Sequence, residues 1–306
     1  MRLKGTPSFP YNRVLGCIQN DSLLYAYGKE VARQCHTVGV QVNFAPVADV
    51  DNNPLNPVIN FRSFGSDPKR VADKVVSYTR GLEDGGVLAV CKHFPGHGDT
   101  EIDSHKALPE LNFDRSRLDS IELYPFRKAI EADIGGVMVG HLHAPVLGEE
   151  PASISQQVIM HTLIEELRFQ GLVVTDALEM KGIAGHDDVC ALALMAGNDM
   201  LLAPRNLKKE IDGVMTALKK GTLSKEEIDR KCRKVLTFKY ALGLSDWHDV
   251  AEEGIEEKLQ TPELSELQQE LSKAAVTVLK DSSALLPLDL SVSGTVLLSV
   301  SSSLSE

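Results

Sequence analysis

The chain has 306 residues, 43% of them hydrophobic and 25% charged, with a formal net charge of −11. These proportions fit a soluble globular protein of one large or two ordinary domains. The acidic balance argues against binding to duplex nucleic acid, which needs a basic surface. No run reaches the roughly 18 apolar residues of a membrane span, so neither nucleic acid nor membrane is expected as a partner.

The opening MRLKGTPSFP has no apolar core of the kind a signal peptide carries. As it stands the chain therefore reads as cytoplasmic, and the compartment of a longer parent, periplasmic or secreted, stays open. Short apolar runs then alternate with amphipathic segments. GVQVNFAPVAD (39–49), GVLAVCKH (86–93), GGVMVGH (135–141), GLVVTD (171–176) and NDMLLAP (198–204) have the length and β-branched content of buried parallel strands. Between them, residues 66–86 open on Ser-Asp-Pro and close on glycines, which predicts a helix. Residues 113–136 carry Leu118, Ile121, Leu123, Phe126 and Ile130 at helical spacing, and 155–171 is predicted as a helix capped by Ser155 and closed by Gly171. This β-α-β-α rhythm predicts a parallel sheet covered by helices.

Four of the five apolar runs end in polar chemistry: Asp49, Lys92 and His93, His141, Asp176. In a (β/α)₈ TIM-type barrel the active site is drawn from the C-terminal ends of several strands. No G-x-G-x-x-G follows a strand, and the GHG at 96–98 lacks the Walker lysine and serine, so nucleotide-binding folds are disfavoured. After residue 245 the character changes. An acidic stretch (252–260) reads as a solvated helix face, 261–279 opens as a helix, and GTVLLSV (294–300) reads as a fresh strand. The expected division is a partial barrel over 1–245, a linking helical segment over 246–285, and the start of a second α/β domain over 286–306.

The cysteines are Cys17, Cys35, Cys91, Cys190 and Cys232. An odd count with no C-x-x-C pair predicts reduced thiols rather than a disulfide frame or zinc site. Of the other chemistry, Asp103-Ser104-His105 places a carboxylate where it can bond one imidazole nitrogen and leave the other for proton transfer; a solvent-exposed histidine with a chance neighbour is the plainer alternative. Asp176 is either a helix N-cap or a carboxylate facing a strand-end pocket. Side chains of consecutive strand residues point to opposite faces, so at least one of Lys92 and His93 should reach that pocket. Arg62, in the loop NFRSFGSDP, can bind an anion or pair with an acid. His93, His97, His105, His141 and His143 raise the question of a metal, but neither H-E-x-x-H nor an early-strand H-x-H occurs, and no metal or other cofactor is expected.

Taken together, KHFPGHGDTEIDSH (92–105), NFAPVADV before it, and VVTDALEM, GIAG and AGNDMLLAP after it resemble glycoside hydrolase family 3, in its β-N-acetylhexosaminidase branch. The resemblance covers residues 1 to 245, with the linker and opening of the family's second domain beyond 261. It implies a retaining hydrolase that removes terminal β-linked N-acetylglucosamine through a covalent glycosyl-aspartate. In it Asp176 matches the nucleophile, His105 the acid/base and Asp103 its dyad partner, while Arg62, Lys92 and His93 match sugar-binding positions. Where most retaining glycosidases use two carboxyl groups, an Asp-His dyad stands here. A histidine would not repel phosphate as a carboxylate would, so a phosphorylase of the same branch is the alternative, and a catalytically weak sugar-binding fragment a third. The family's D-x-E-G-G-like segment would precede Met1, so the barrel is expected to be incomplete at its N-terminus, with open strand edges that invite self-association.

Overall fold

The computed structural model of the chain describes residues 6–281 and Leu286. Of these, residues 6–275 belong to one compact unit. Among the described residues a single five-stranded sheet runs in chain order, all parallel: β1 (Val42–Asn43), β2 (Leu88–Phe94), β3 (Gly136–Val139), β4 (Leu172–Ala177) and β5 (Met200–Leu202). Strand order equal to chain order, with helices between, is the winding of a TIM-like α/β barrel, and sheet and helices form such a fold.

All five predicted strands are present, and each is shorter than or displaced from its apolar run. The largest difference is at 39–49. Pro46 has no N–H to give, so the ladder stops after Asn43 and resumes only as a bridge between Val47 and Lys92. Cis peptides occur at Ala45-Pro46, Lys92-His93 and Phe94-Pro95.

The helices show where local chemistry governs and where it is overruled. Between α1 (Asn12–Leu15) and the first strand lies α2 (Ser22–Thr37). Next, α3 (Pro68–Asp84) starts as predicted: the Asp67 side chain accepts from the Arg70 N–H at 2.8 Å, and Pro68 fills a first-turn position that needs no N–H. These two helices press backbone to backbone at Gly28 and Gly81, where a Cβ would lie 2.3 Å from the Tyr78 carbonyl oxygen and 2.1 Å from that of Tyr25. The helix predicted over 113–136 is two: α4 (Arg115–Ser120) and α5 (Tyr124–Glu131). Pro125 is the cause, because its ring excludes a continuous helix through Ile121. The segment predicted over 155–171 is π-wound over Gln157–Glu166 and ends early, with Arg168 at φ 58°. Gly171 does not close it. That glycine lets β4 approach β3, since a Cβ there would lie 2.3 Å from the Gly135 carbonyl oxygen.

Further along lie α6 (Val189–Ala196), α7 (Leu207–Lys220), α8 (Lys225–Ala241) and α9 (Ile255–Leu259). Helix α10 (Pro262–Ala274) is capped by Thr261, and its Leu271 joins the main core cluster with Leu24, Val75, Leu82 and Phe126. The compact unit thus extends past residue 245. Leu259 is buried at the end of the acidic α9, so only part of that segment is a solvated face. The strand predicted at 294–300 lies outside the described residues. All five cysteines are free thiols.

Candidate active site

The C-terminal ends of β2 and β4, with the loops after β1 and β2, enclose a cavity of about 320 Å³. Its wall carries Arg62, Lys92, His93, His97, Ser104, His105 and Asp176; Phe44, Val58, Met138 and Leu202 supply an apolar part. Five of the six residues singled out from the sequence therefore line one space, although they are spread over more than a hundred positions. The sixth, Asp103, stands behind His105.

Lys92 and His93 both reach the cavity, where alternation along a regular strand promised only one. The β2–β3 register shifts between Cys91 and Phe94, and such an irregularity re-aims side chains. Behind His93 sits Asp49, fully buried. Asp49 Oδ2 accepts from His93 Nδ1 at 2.7 Å, and Oδ1 accepts from the backbone N–H groups of His93 at 3.1 Å and His97 at 2.7 Å. Burial alone would raise the carboxyl, but the charge and hydrogen bond of His93, with lesser help from His97, hold it below the ordinary aspartate value. With Nδ1 held by Asp49, His93 turns Nε2 toward Arg62 Nη2, 3.4 Å away. Burial and the neighbouring Arg62 guanidinium lower Lys92 to about 8 against the opposing pull of Asp176 and Asp49.

Asp176, the penultimate residue of β4, is half-buried. The helix-cap alternative does not hold, because the next helical turn begins only at Lys181 and takes Met180 as its N-cap residue. The Asp176 Oδ1 atom accepts from the Ala177 N–H at 2.8 Å. Burial raises its carboxyl, yet His93, that backbone bond, His141 and Lys92 bring it below the usual range, so it is ionised at neutral pH. His141 is fully buried beneath it, bonded through Nδ1 to Ser153 Oγ at 2.7 Å and through Nε2 to the Ala177 carbonyl at 3.0 Å.

The loop after β2 carries the remaining groups. Gly96 takes φ +136°, and Gly98 lies where a Cβ would be 1.9 Å from the Val50 carbonyl oxygen. Both positions demand glycine, as PGHG suggests. At the far end Asp103 Oδ1 receives both the His105 backbone N–H and the ring Nδ1, each at 2.9 Å. Partial burial works to raise Asp103, and the two His105 bonds with the added charge of Lys106 overcome it and lower its value. His105 itself is exposed, with its side chain 64% accessible.

Sequence reasoning passed over three residues that hold this constellation. Asp49 was visible as a strand-end acid but had no partner in the sequence to give it a role. His97 sat in the glycine-rich turn as one histidine among several. Asn56 ties the two loops together: its Nδ2 donates to the carbonyls of His97 at 2.7 Å and Gly98 at 3.0 Å, while its Oδ1 accepts from the N–H groups of Val58 and Ile59 in the loop that carries Arg62. The histidines that raised the metal question are engaged separately, and among the described residues no three His, Cys, Asp or Glu side chains converge as a metal site.

Residues 1–238 match the glycosyl hydrolase family 3 N-terminal domain. The chain belongs to glycosyl hydrolase family 3. Beta-hexosaminidase A of Pseudoalteromonas piscicida is 33% identical over 91% of this chain and 51% of its own length. Beta-hexosaminidase LpqI of Mycobacterium tuberculosis is 37% identical over 69% of this chain and 57% of its own length. Among solved structures, a family 3 β-N-acetylglucosaminidase from Paenibacillus sp. str. FPU-7 superposes with a TM-score of 0.84 at 36% identity, covering 90% of this chain and 53% of that one. A β-glucoside phosphorylase, BglX, superposes at 0.85 with 26% identity, covering 93% of this chain and 54% of that one. The chain spans about half the length of the relatives it matches. No helix among the described residues is long and apolar enough to cross a membrane.

Proposed function

We propose that the chain carries the catalytic site of a retaining glycosidase that removes terminal β-linked N-acetylglucosamine. The observation that carries this reading is the cavity itself: an ionised aspartate and a carboxylate-backed histidine share it with Arg62, Lys92 and His93. The relatives named β-hexosaminidase and β-N-acetylglucosaminidase support the same sugar as substrate.

Asp176 is the nucleophile. Its Oδ1 is engaged by Ala177, so Oδ2 is the oxygen offered to the anomeric carbon. As the Oδ2–C1 bond forms, the C1–O glycosidic bond breaks, and its electron pair stays on the departing oxygen, which takes a proton from His105 Nε2. In the second step Nε2 removes a proton from water as the water oxygen bonds C1, and the Asp176 carboxylate leaves. Asp103 holds Nδ1 protonated and stabilises the imidazolium between turnovers. Arg62, Lys92 and His93 fix the sugar by hydrogen bonds to its hydroxyls, which places C1 over Asp176. The apolar wall formed by Phe44 and Met138 suits the faces of a sugar ring. None of these steps calls on a metal or other cofactor.

A fluorinated N-acetylglucosaminide with a good leaving group should trap the glycosyl-enzyme, and peptide mapping should place the label on Asp176. A label on another residue, or none, would overturn the assignment. The phosphorylase reading is kept because a phosphorylase superposes on the chain and because an imidazole at position 105 does not repel phosphate. Product analysis with and without inorganic phosphate separates the two: free N-acetylglucosamine in both samples supports hydrolysis, and a sugar 1-phosphate only in the phosphate sample supports the phosphorylase.

A further inference from the structure

His105 is exposed and stands on a loop, yet an acid/base must be held to within a fraction of an ångström. The dyad does not supply that restraint. Asp103 belongs to the same loop as His105, so their bond fixes the ring relative to the loop and leaves the loop unanchored to the barrel. The anchor lies one residue away. Ser104 is 2% exposed, its Oγ 3.1 Å from Nε2 of the buried His97. Through its backbone N–H, His97 is fastened to Asp49, the carboxylate that also holds His93. The opposite side of Ser104 is tied by its carbonyl, which accepts from the Gly182 N–H at 3.1 Å.

The protons on this chain follow from its hydroxyls. Thr100 Oγ1 donates to the His97 carbonyl at 3.2 Å, so toward Nδ1, at 2.7 Å, it is an acceptor. Nδ1 therefore carries the hydrogen, Nε2 keeps its lone pair, and Ser104 Oγ–H donates to it. We infer that His97 is the positioning residue of the acid/base loop: its imidazole pins Ser104 to the barrel and so fixes where the neighbouring His105 stands. The Asp49 carboxylate thereby sets the sugar-binding His93 and the proton-transferring His105 from one point. This inference rests on the reading of His105 as the acid/base.

The test compares His97→Asn, His97→Gln, Ser104→Ala and His105→Ala in the full chain, on an aryl N-acetylglucosaminide with a poor leaving group and on the dinitrophenyl glycoside, which needs little protonation. An asparagine amide reaches the Nδ1 position toward Thr100 but not Ser104; a glutamine amide reaches the Nε2 position and can bond Ser104. His97→Asn and Ser104→Ala should lose about 10²-fold in kcat/KM on the poor leaving group, since a misplacement near 1 Å costs that much, and under tenfold on the dinitrophenyl substrate. His97→Gln should recover most of the loss. Nitrogen chemical shifts should show His97 as the Nδ1–H tautomer. If His105→Ala shows the leaving-group dependence and both His97→Asn and Ser104→Ala lose equally on the two substrates, or not at all, the inference is overturned while the acid/base reading stands. If His105→Ala also loses equally on both, or the chain turns over neither glycoside, both fall. An Nε2–H tautomer for His97 would by itself refute the pin.

Discussion

Asp49→Asn is the substitution from which the largest combined effect on folding and binding is expected. Asp49 is fully buried and accepts three hydrogen bonds, from His93 Nδ1, the His93 N–H and the His97 N–H. An asparagine of the same shape has one acceptor oxygen in place of two. Its NH₂ must therefore face either the imidazole Nδ1–H or the two backbone N–H groups, donor against donor. Leaving a buried donor without its acceptor costs about 1–3 kcal/mol, toward the upper end where the lost acceptor was charged. The imidazole can relieve part of this by moving its proton to Nε2, which then presents a donor toward the Arg62 guanidinium 3.4 Å away and disrupts that side of the sugar site. Stability should therefore fall by about 2–3 kcal/mol in urea unfolding of the full chain, and affinity for N-acetylglucosamine should drop about tenfold or more in calorimetry. The pH dependence has a definite sign. Asp49 is depressed in the folded state, so its stabilisation is present above the unfolded aspartate value and is lost as pH falls through the folded one; the wild type should lose this advantage over Asp49→Asn in acid. A variant within about 1 kcal/mol of wild type, with unchanged sugar affinity, would refute the view of Asp49 as the buried hub of the site.

Two further outcomes follow from buried groups. Lys92 is lowered to about 8, so its ammonium is lost above that pH, and KM should rise there; Lys92→Met should raise KM about 10- to 100-fold at pH 7, the worth of one charged hydrogen bond, and should abolish that alkaline rise in KM. Glu83 has its Oε1 on the Gly135 N–H at 2.7 Å beneath the sheet, and burial raises it to about 7 against its bonds to Gly135 and Ala89. In the folded state it holds a proton that the unfolded chain has released, so the stabilisation is fully present below the unfolded glutamate value and is lost as pH rises through about 7. Glu83→Gln should flatten the decline in melting temperature between pH 5 and 8, and an equally steep decline in that variant would count against the assignment.

Much of the architecture is written in local patterns. The alternation of apolar runs with amphipathic segments announces a parallel sheet covered by helices, because a strand buried on both faces must be apolar along its length. Asp67-Pro68 starts α3 by capping chemistry that involves only near neighbours. Asp103 and His105 are two residues apart, so their bond is within reach of the sequence alone. Other features depend on groups that meet only in the folded chain. The register shift that brings both Lys92 and His93 into the cavity is decided by how β2 lies against β3. Asp49 acquires its role from partners 44 and 48 residues away, and Ser104 is held by Gly182 on the far side of β4. Sequence spacing encodes periodicity and caps because those act over one or two turns. The direction in which a buried carboxylate spends its lone pairs is set by which donors the packed barrel leaves unsatisfied, and that is decided only when the strands come together.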